Sequence, residues 1–345
     1  MQGRIIWSVV QEEPTIVIER TSRTFQLQMP NRFLFIGTTD FFGMEIHEAS
    51  AHFDFMTKQG IFFMKTLDTG LIIMKPRLFF FHSNGFPARN YGHFLKTLET
   101  WNPEAINILG ADLSSLGGTM DPMVEEVISQ VAPAKGNAIG IGHSLGGSLC
   151  ILAQASQPNL FQNMILLDPP IFSPLKRSAI RWLRRLGILE WFSPSRRVHR
   201  RRNTFTSRNQ ALEYFAAKPL FQDFPKSSLE LYIEEGLSPA QNGFQLRIPR
   251  EREAEIYDSI PDRLPDTIYA SRGVMIYSQK MEVLKQLDLQ WWKKSFPGFK
   301  QIGFPGGHLF PLEAPEKLGK LIQSLLINLI EEHAEKSEKP LFEVA

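Results

Sequence analysis

Apolar and polar positions change rhythm twice along this chain. From residue 77 to 168, short wholly apolar runs alternate with stretches in which apolar residues recur every three or four positions. The runs "RLFFFH" (77–82), "AINILGA" (105–111), "NAIGIG" (137–142) and "NMILLD" (163–168) read as strands covered on both faces, because a half-exposed strand would alternate apolar with polar. Between them, "YGHFLKTLETW" (91–101), "DPMVEEVISQVA" (121–132) and residues 146–157 read as helices. The second has Asp121 as its N-cap and Pro122 at its first helical position, where a missing N–H costs nothing. Such alternation predicts an α/β fold with a mostly parallel central sheet flanked by helices.

After Asp168 the rhythm stops. Residues 171–262 are rich in Arg, Pro and aromatics, and predict several short helices without regular strands. Strand-like runs resume at "GVMIYS" (273–278) and "FKQIGF" (299–304), and a helix from about 314 to 332 follows. The expected organisation is therefore a core formed by 61–170 and 263–335, interrupted by a helical cap insertion at 171–262. Residues 1–60 contain four strand-like runs, "RIIWSVV", "TIVIER", "FQLQM" and "NRFLFIG". They read either as extra strands or as translation upstream of the natural start, with Met56, Met64 and Met74 as alternative starts. The tail "EEHAEKSEKPLFEVA" reads as a charged, frayed end.

Composition narrows the possibilities. A chain of 345 residues, 43% hydrophobic, can bury a substantial core. A formal charge of +2 gives no global attraction to nucleic acid or membrane. The single cysteine, Cys150, cannot form an intrachain disulfide or a cysteine metal framework, which fits a reducing compartment, and the cytoplasm is the expected location. No run reaches the roughly 18–20 uncharged apolar residues of a membrane span, and the N-terminus lacks the basic, apolar, small-residue order of a secretory signal. Nothing in the sequence signals an oligomeric state.

The chemistry concentrates at "GIGHSLGG". Gly142-His143-Ser144-Leu145-Gly146 is a G-x-S-x-G pattern between a predicted strand and a predicted helix, the context in which a serine is exposed on a sharp turn. Glycines on either side let strand and helix approach closely, and the helix N-terminus favours developing negative charge. A serine hydroxyl needs a base to take its proton. Of eight histidines, His308 in "GFPGGHLFP" follows a predicted strand and precedes the last helix, so it belongs to the sheet edge that carries Ser144. His143 and His82 read as supporting residues. Two carboxylates compete to orient the imidazole: Asp168 at the end of "LLDPP" is preferred, and Glu282 in "YSQKMEVL" is the alternative acid. For the oxyanion, the backbone N–H groups of Asn84, in "HSNGFP", and of Leu145 are the expected donors.

These residues together resemble an α/β-hydrolase, with 77–332 covering the expected core. More narrowly, "FHSNGFPARNY" resembles the HxNGFPAxxY loop of a group of small esterases and lipases, and the insertion is similar to that group's cap, including its Glu-Ala-x-Ile-Tyr at 253–257. The resemblance implies hydrolysis of a small-molecule carboxylic ester through an acyl-enzyme, with no metal and no cofactor. It implies a triad of Ser144, Asp168 and His308. C–C bond hydrolysis, acyl transfer and a non-catalytic ligand-binding role are the alternatives. Ser83 stands where the group usually has Ala or Gly, and residues 1–60 have no counterpart in it.

Inside the insertion, "SPLKRSAIRWLRRLGILEWFSPSRRVHRRRNTFTSR" contains ten Arg and one Lys against the single acid Glu190. Arg177, Arg181, Arg184 and Arg185 share one side of a basic amphipathic helix, with Ile180, Leu183, Leu186 and Trp191 elsewhere. Three readings remain open: a solvated outer face with an apolar underside over the pocket, contact with a lipid interface, or recognition of an anionic substrate group. Nucleic acid is not an expected partner, because the patch is local and no binding fold accompanies it.

Overall fold

The computed structural model describes residues 75–338 continuously, together with six strand segments before them. It divides into two compact units, 1–75 and 76–345. In the first, Arg4–Ile6, Val17–Thr21, Thr24–Met29 and Arg32–Ile36 pair antiparallel in sequence order, and His52–Thr57 pairs with Gly60–Lys65 as a hairpin. All four strand-like runs thus contain strands. Met74, and residues 339–345 of the expected frayed tail, lie outside the described residues.

The second unit is built on a six-stranded, all-parallel sheet. Its strands are β1 (Arg77–Phe81), β2 (Glu104–Ala105), β3 (Ala138–His143), β4 (Asn163–Leu167), β5 (Gly273–Ser278) and β6 (Phe299–Phe304), in spatial order β6-β5-β4-β3-β1-β2. The apolar runs explain this directly. Phe79, Phe81, Met164 and Leu166 enter the core on one side of the sheet, while Leu78, Phe80, Ile165 and Leu167 enter the core on the other. Both faces are therefore buried, and the helices that cover them, α1 (Gly92–Thr97), α2 (Asp121–Val131) and α3 (Leu145–Ser156), come from the intervening periodic segments.

Two expected elements differ. The run 105–111 contributes only Ala105 to a two-residue strand, because its later backbone groups serve other partners: Asn107 O accepts from Ala88 N–H, and Leu109 N–H donates to His82 Nε2 at 2.7 Å. At the start of α2 the cap position is Met120, whose carbonyl accepts from Val124 N–H, and Asp121 is already helical. The last helix is longer than its apolar pattern, running from Pro315 to Glu338.

The insertion contains α4 (Pro174–Arg185), α5 (Arg208–Ala216), α6 (Lys226–Gly236) and α7 (Arg250–Asp258), with shorter turns between. It also contains a small antiparallel sheet, against expectation: Leu237–Ala240 and Gly243–Leu246 form a hairpin, and Thr204–Phe205 joins its edge. Its turn signal is the Asn242-Gly243 pair, with Gly243 at φ +125. The apolar side of the insertion packs on the core through rings, Phe86 lying 5.2 Å from Tyr232 and 6.2 Å from Phe221 between centroids.

The orientation of α4 overturns the reading of a solvated basic face above an apolar underside. Arg177, Arg181 and Arg184 turn inward, and Leu175, Trp182 and Leu186 turn outward. Long guanidinium side chains reach the carbonyls of Phe172, Asp262, Ile260 and Asp258 that the loops would otherwise leave unpaired, which makes the inward position favourable for Arg.

The start of α3 packs against β1 and β3 with no room for a side chain. A Cβ on Gly146 would stand 2.1 Å from the carbonyl oxygen of Phe81 in β1, a contact that only backbone movement relieves. Gly146→Ala is accordingly expected to lose about 3 kcal/mol of stability, the upper range for overpacking, measured as a lowered urea midpoint with an unchanged slope.

Candidate active site

Three strand ends build the site. β3 runs into Ser144, which takes φ +52 and ψ −112 before α3 begins at Leu145. This left-handed turn is possible because Gly142 and Gly146 lack side chains: a Cβ on Gly142 would lie 2.4 Å from the backbone of Gly146. Ser144 N–H donates to Leu167 O at 2.8 Å, extending the sheet ladder one residue beyond the strand. β4 then ends at Asp168, also left-handed at φ +48, with its N–H on Ile276 O at 2.7 Å. β6 delivers His308 in the loop that follows it.

The imidazole of His308 joins the other two. Its Nδ1–H donates to Asp168 Oδ2 at 2.6 Å, and its Nε2 accepts from the Ser144 hydroxyl at 2.9 Å. Asp168 is fully buried, and its second oxygen, Oδ1, faces Ser278 N–H at 3.4 Å. Glu282 goes elsewhere. Its Oε2 accepts from the backbone N–H of His308 at 2.5 Å, so it holds the loop and leaves the ring to Asp168. The parallel register explains the difference: β4 and β5 are neighbours, and the turn after β4 carries its carboxylate to the Nδ1 side of the ring.

The oxyanion-loop residues lie beside Ser144. Gly146 N–H donates to His82 O at 3.1 Å, tying the elbow to the loop after β1, while Ser83 N–H donates to Tyr91 Oη at 3.3 Å. Among the described residues, the N–H groups of Asn84 and Leu145 have no hydrogen-bond partner. A backbone N–H without an acceptor is the kind of donor that a negative oxygen requires.

Sequence reasoning assigned His143 and His82 only a supporting place, and the structure gives each a definite one. Tyr91 Oη–H donates to His143 Nδ1 at 2.6 Å, and His143 Nε2–H donates to the carbonyl of His308 at 2.9 Å. The residue next to Ser144 thereby clamps the loop that bears the base. His82 donates through Nδ1–H to Ser83 O at 2.7 Å and accepts Leu109 N–H at Nε2. Burial keeps both rings neutral: it lowers the His82 pKa to about 4 and pushes His143 well below the usual histidine range.

A second group was missed. Glu253 of α7, the glutamate of the Glu-Ala-x-Ile-Tyr motif, is buried and pairs with Arg201 through both carboxylate oxygens. Its carboxylate lies against Gly85, where a Cβ would come within 2.9 Å, and its backbone carbonyl accepts from Asn84 Nδ2 at 2.9 Å. The motif was visible in the sequence, but its contact with the loop 168 residues earlier was not.

With this geometry in place, known proteins give its context. The sequence pattern of the alpha/beta hydrolase family matches residues 78–320. The chain belongs to that family. Over 100 residues it is 30% identical to N-formylmaleamate deformylase of Pseudomonas putida, a match that covers 27% of this chain and 35% of that enzyme. Among solved structures, E-2-(acetamidomethylene)succinate hydrolase superposes with a TM-score of 0.57 at 16% identity, over 81% of this chain and 99% of that one. An esterase of M. tuberculosis superposes with a TM-score of 0.53 at 17% identity, over 81% of this chain and 92% of that one. These likenesses show an α/β-hydrolase fold with a parallel sheet. Among the described residues, no cluster of three His, Cys, Asp or Glu is arranged to hold a metal, and no helix is long and apolar enough to cross a membrane.

The two buried histidines make stability depend on pH. Each is neutral when folded and protonates near its ordinary value of about 6.5 when unfolded, so the unfolded chain binds more protons below that pH. Stability is complete above about pH 6.5 and falls as pH drops toward the folded value of about 4 for His82. The expected slope approaches 1.4 kcal/mol per pH unit for each ring, to within about a factor of two. Thermal melts between these pH values check it, and His82→Gln should flatten the slope.

Proposed function

We propose that this protein is a serine hydrolase that cleaves carboxylic esters through an acyl-enzyme. The observation that carries the reading is the His308 ring, bonded to Ser144 Oγ on one nitrogen and to buried Asp168 on the other. In this reading Ser144 Oγ attacks the carbonyl carbon as His308 Nε2 takes its proton. Asp168 fixes the Nδ1–H tautomer and stabilises the imidazolium that forms. The N–H groups of Asn84 and Leu145 receive the charge of the tetrahedral oxygen. His308 returns the proton to the leaving alcohol, then draws one from water, which deacylates Ser144.

The site also offers reasons for the supporting residues. Tyr91, His143 and Glu282 hold the backbone of His308 from two sides, so the ring needs little reorganisation when charge appears on it. An acyl or aromatic ester is favoured as substrate by the aromatic packing of Phe86, in the oxyanion loop, against Phe221, Phe224 and Tyr232 of the insertion. A second reading, cleavage of an N-formyl amide by the same steps, is favoured by the shared stretch with the deformylase. The family membership and the hydrolase neighbours support both.

A fluorophosphonate probe should label the folded protein at Ser144 and fail to label Ser144→Ala; absence of label on the folded protein overturns the reading. Asp168→Asn should lower kcat by about ten-thousand-fold, as expected when the imidazole loses its tautomer. Glu282→Gln retains an oxygen acceptor for His308 N–H, so its loss is expected to be below about tenfold. A panel of aryl esters, acyl esters and N-formyl amides compared by kcat/KM separates the two substrate classes.

A further inference from the structure

The insertion carries an amphipathic helix turned inside out. On α4, Arg177, Arg181 and Arg184 are spaced four and three residues apart and face the body of the protein. Arg184 reaches the Asp262 carboxylate at 2.8 Å and Ile260 O at 2.7 Å, and Arg181 reaches Asp262 O at 2.7 Å. Leu175, Ala179, Trp182 and Leu186, spaced four, three and four apart, form the opposite stripe and face outward. Trp191 and Phe192 in the following turn continue it. The five large residues of this patch are 61 to 76% exposed, on a molecule whose other apolar side chains mostly lie in the core.

The charges around the patch are mostly positive. Arg185 stands over the Trp182 ring at 5.6 Å and Arg196 over the Trp191 ring at 5.0 Å. Arg197 and Arg200 are exposed, and none of these four has an ion-pair partner among the described residues. Glu190 is the single acid in this stretch. The inward arginines are bonded to carbonyls and paired with Asp262, whereas the outward ones have no such tie to the fold.

We infer that the outward face of α4 and the turn after it docks on a membrane surface containing anionic lipid. Large apolar side chains that project singly from a convex helix fit the acyl boundary, which closes around them, whereas a protein partner would need a matching pocket for each. Indole rings with guanidinium groups beside them suit the headgroup level, where the ring is half buried and the cation meets phosphate. A patch in which four arginines stand against the single acid Glu190 favours a negative surface. The inference is independent of the hydrolase reading, since none of these residues touches Ser144, His308 or Asp168.

The test uses the whole chain and vesicles of phosphatidylcholine, alone or mixed with phosphatidylglycerol. The protein should sediment with the mixed vesicles, shift its tryptophan emission to the blue, and release as salt is raised. Trp182→Ser combined with Trp191→Ser should weaken binding about tenfold or more, with unchanged circular dichroism and unchanged labelling of Ser144 by the soluble probe. Arg185→Glu with Arg200→Glu should remove the preference for the anionic vesicles while leaving the melting curve in place. Failure of the unaltered protein to bind either vesicle overturns the inference, as does binding that the tryptophan variant retains in full. A dimer in light scattering that the same tryptophan variant abolishes would instead make a second copy of the chain the occupant, and would also overturn it.

Discussion

Backbone meets backbone at the end of β3 more closely than any side chain allows. Gly142 lies against Gly146, and Gly146 against the carbonyl of Phe81, at distances a Cβ could not share. That exclusion sets the angle between β3 and α3, and the angle forces Ser144 into a left-handed conformation that places its hydroxyl beyond the sheet edge. A non-glycine residue at positive φ carries a conformational cost, which the buried strands on either side of the turn are able to hold. The sheet and the elbow therefore depend on one another. The four central strands β1, β3, β4 and β5, buried on both faces, supply the rigidity, and the glycines set the turn that carries the Ser144 hydroxyl.

The same economy governs the imidazole of His308. Four other residues from three parts of the chain fix it: Asp168 and Ser144 hold the ring, while His143 and Glu282 hold the backbone carbonyl and N–H. His143 is itself held by Tyr91, whose hydroxyl also receives Ser83 N–H from the oxyanion loop. One buried phenol thus links the loop, the elbow and the base. Arg201 and Glu253 connect the same loop to the insertion, so the segment around Asn84 is held by both the core and the insertion.

Much of this was legible because the relevant signals are short-range. Wholly apolar runs bounded by turn residues mark β1, β3, β4, β5 and β6, and G-x-S-x-G between strand and helix marks the elbow. What escaped depends on contacts between distant segments. The run 105–111 has the composition of a full strand, yet His82 and Ala88 divert its backbone after Ala105. Asp168 and Glu282 both follow a strand at the same edge, and only the placement of the turns decides which carboxylate meets the ring and which meets the chain. For α4 the pattern marks a basic and an apolar side, but it groups Arg185 with the inward arginines and Ile180 with the apolar side, whereas Arg185 is exposed and Ile180 packs on the core, and periodicity does not say which face turns inward. Here the carbonyls of 258–262 favour arginine, and the usual expectation reverses.

The span between Ser144 and His308 is 164 residues, and the whole insertion lies within it. Ser144 stands between β3 and α3, ahead of the insertion, and His308 follows β6, beyond it, so their contact joins segments from the two ends of the core sequence. The hydroxyl and the ring come within hydrogen-bond reach only in a fully assembled sheet, which makes that single contact a direct report on whether the chain has finished folding.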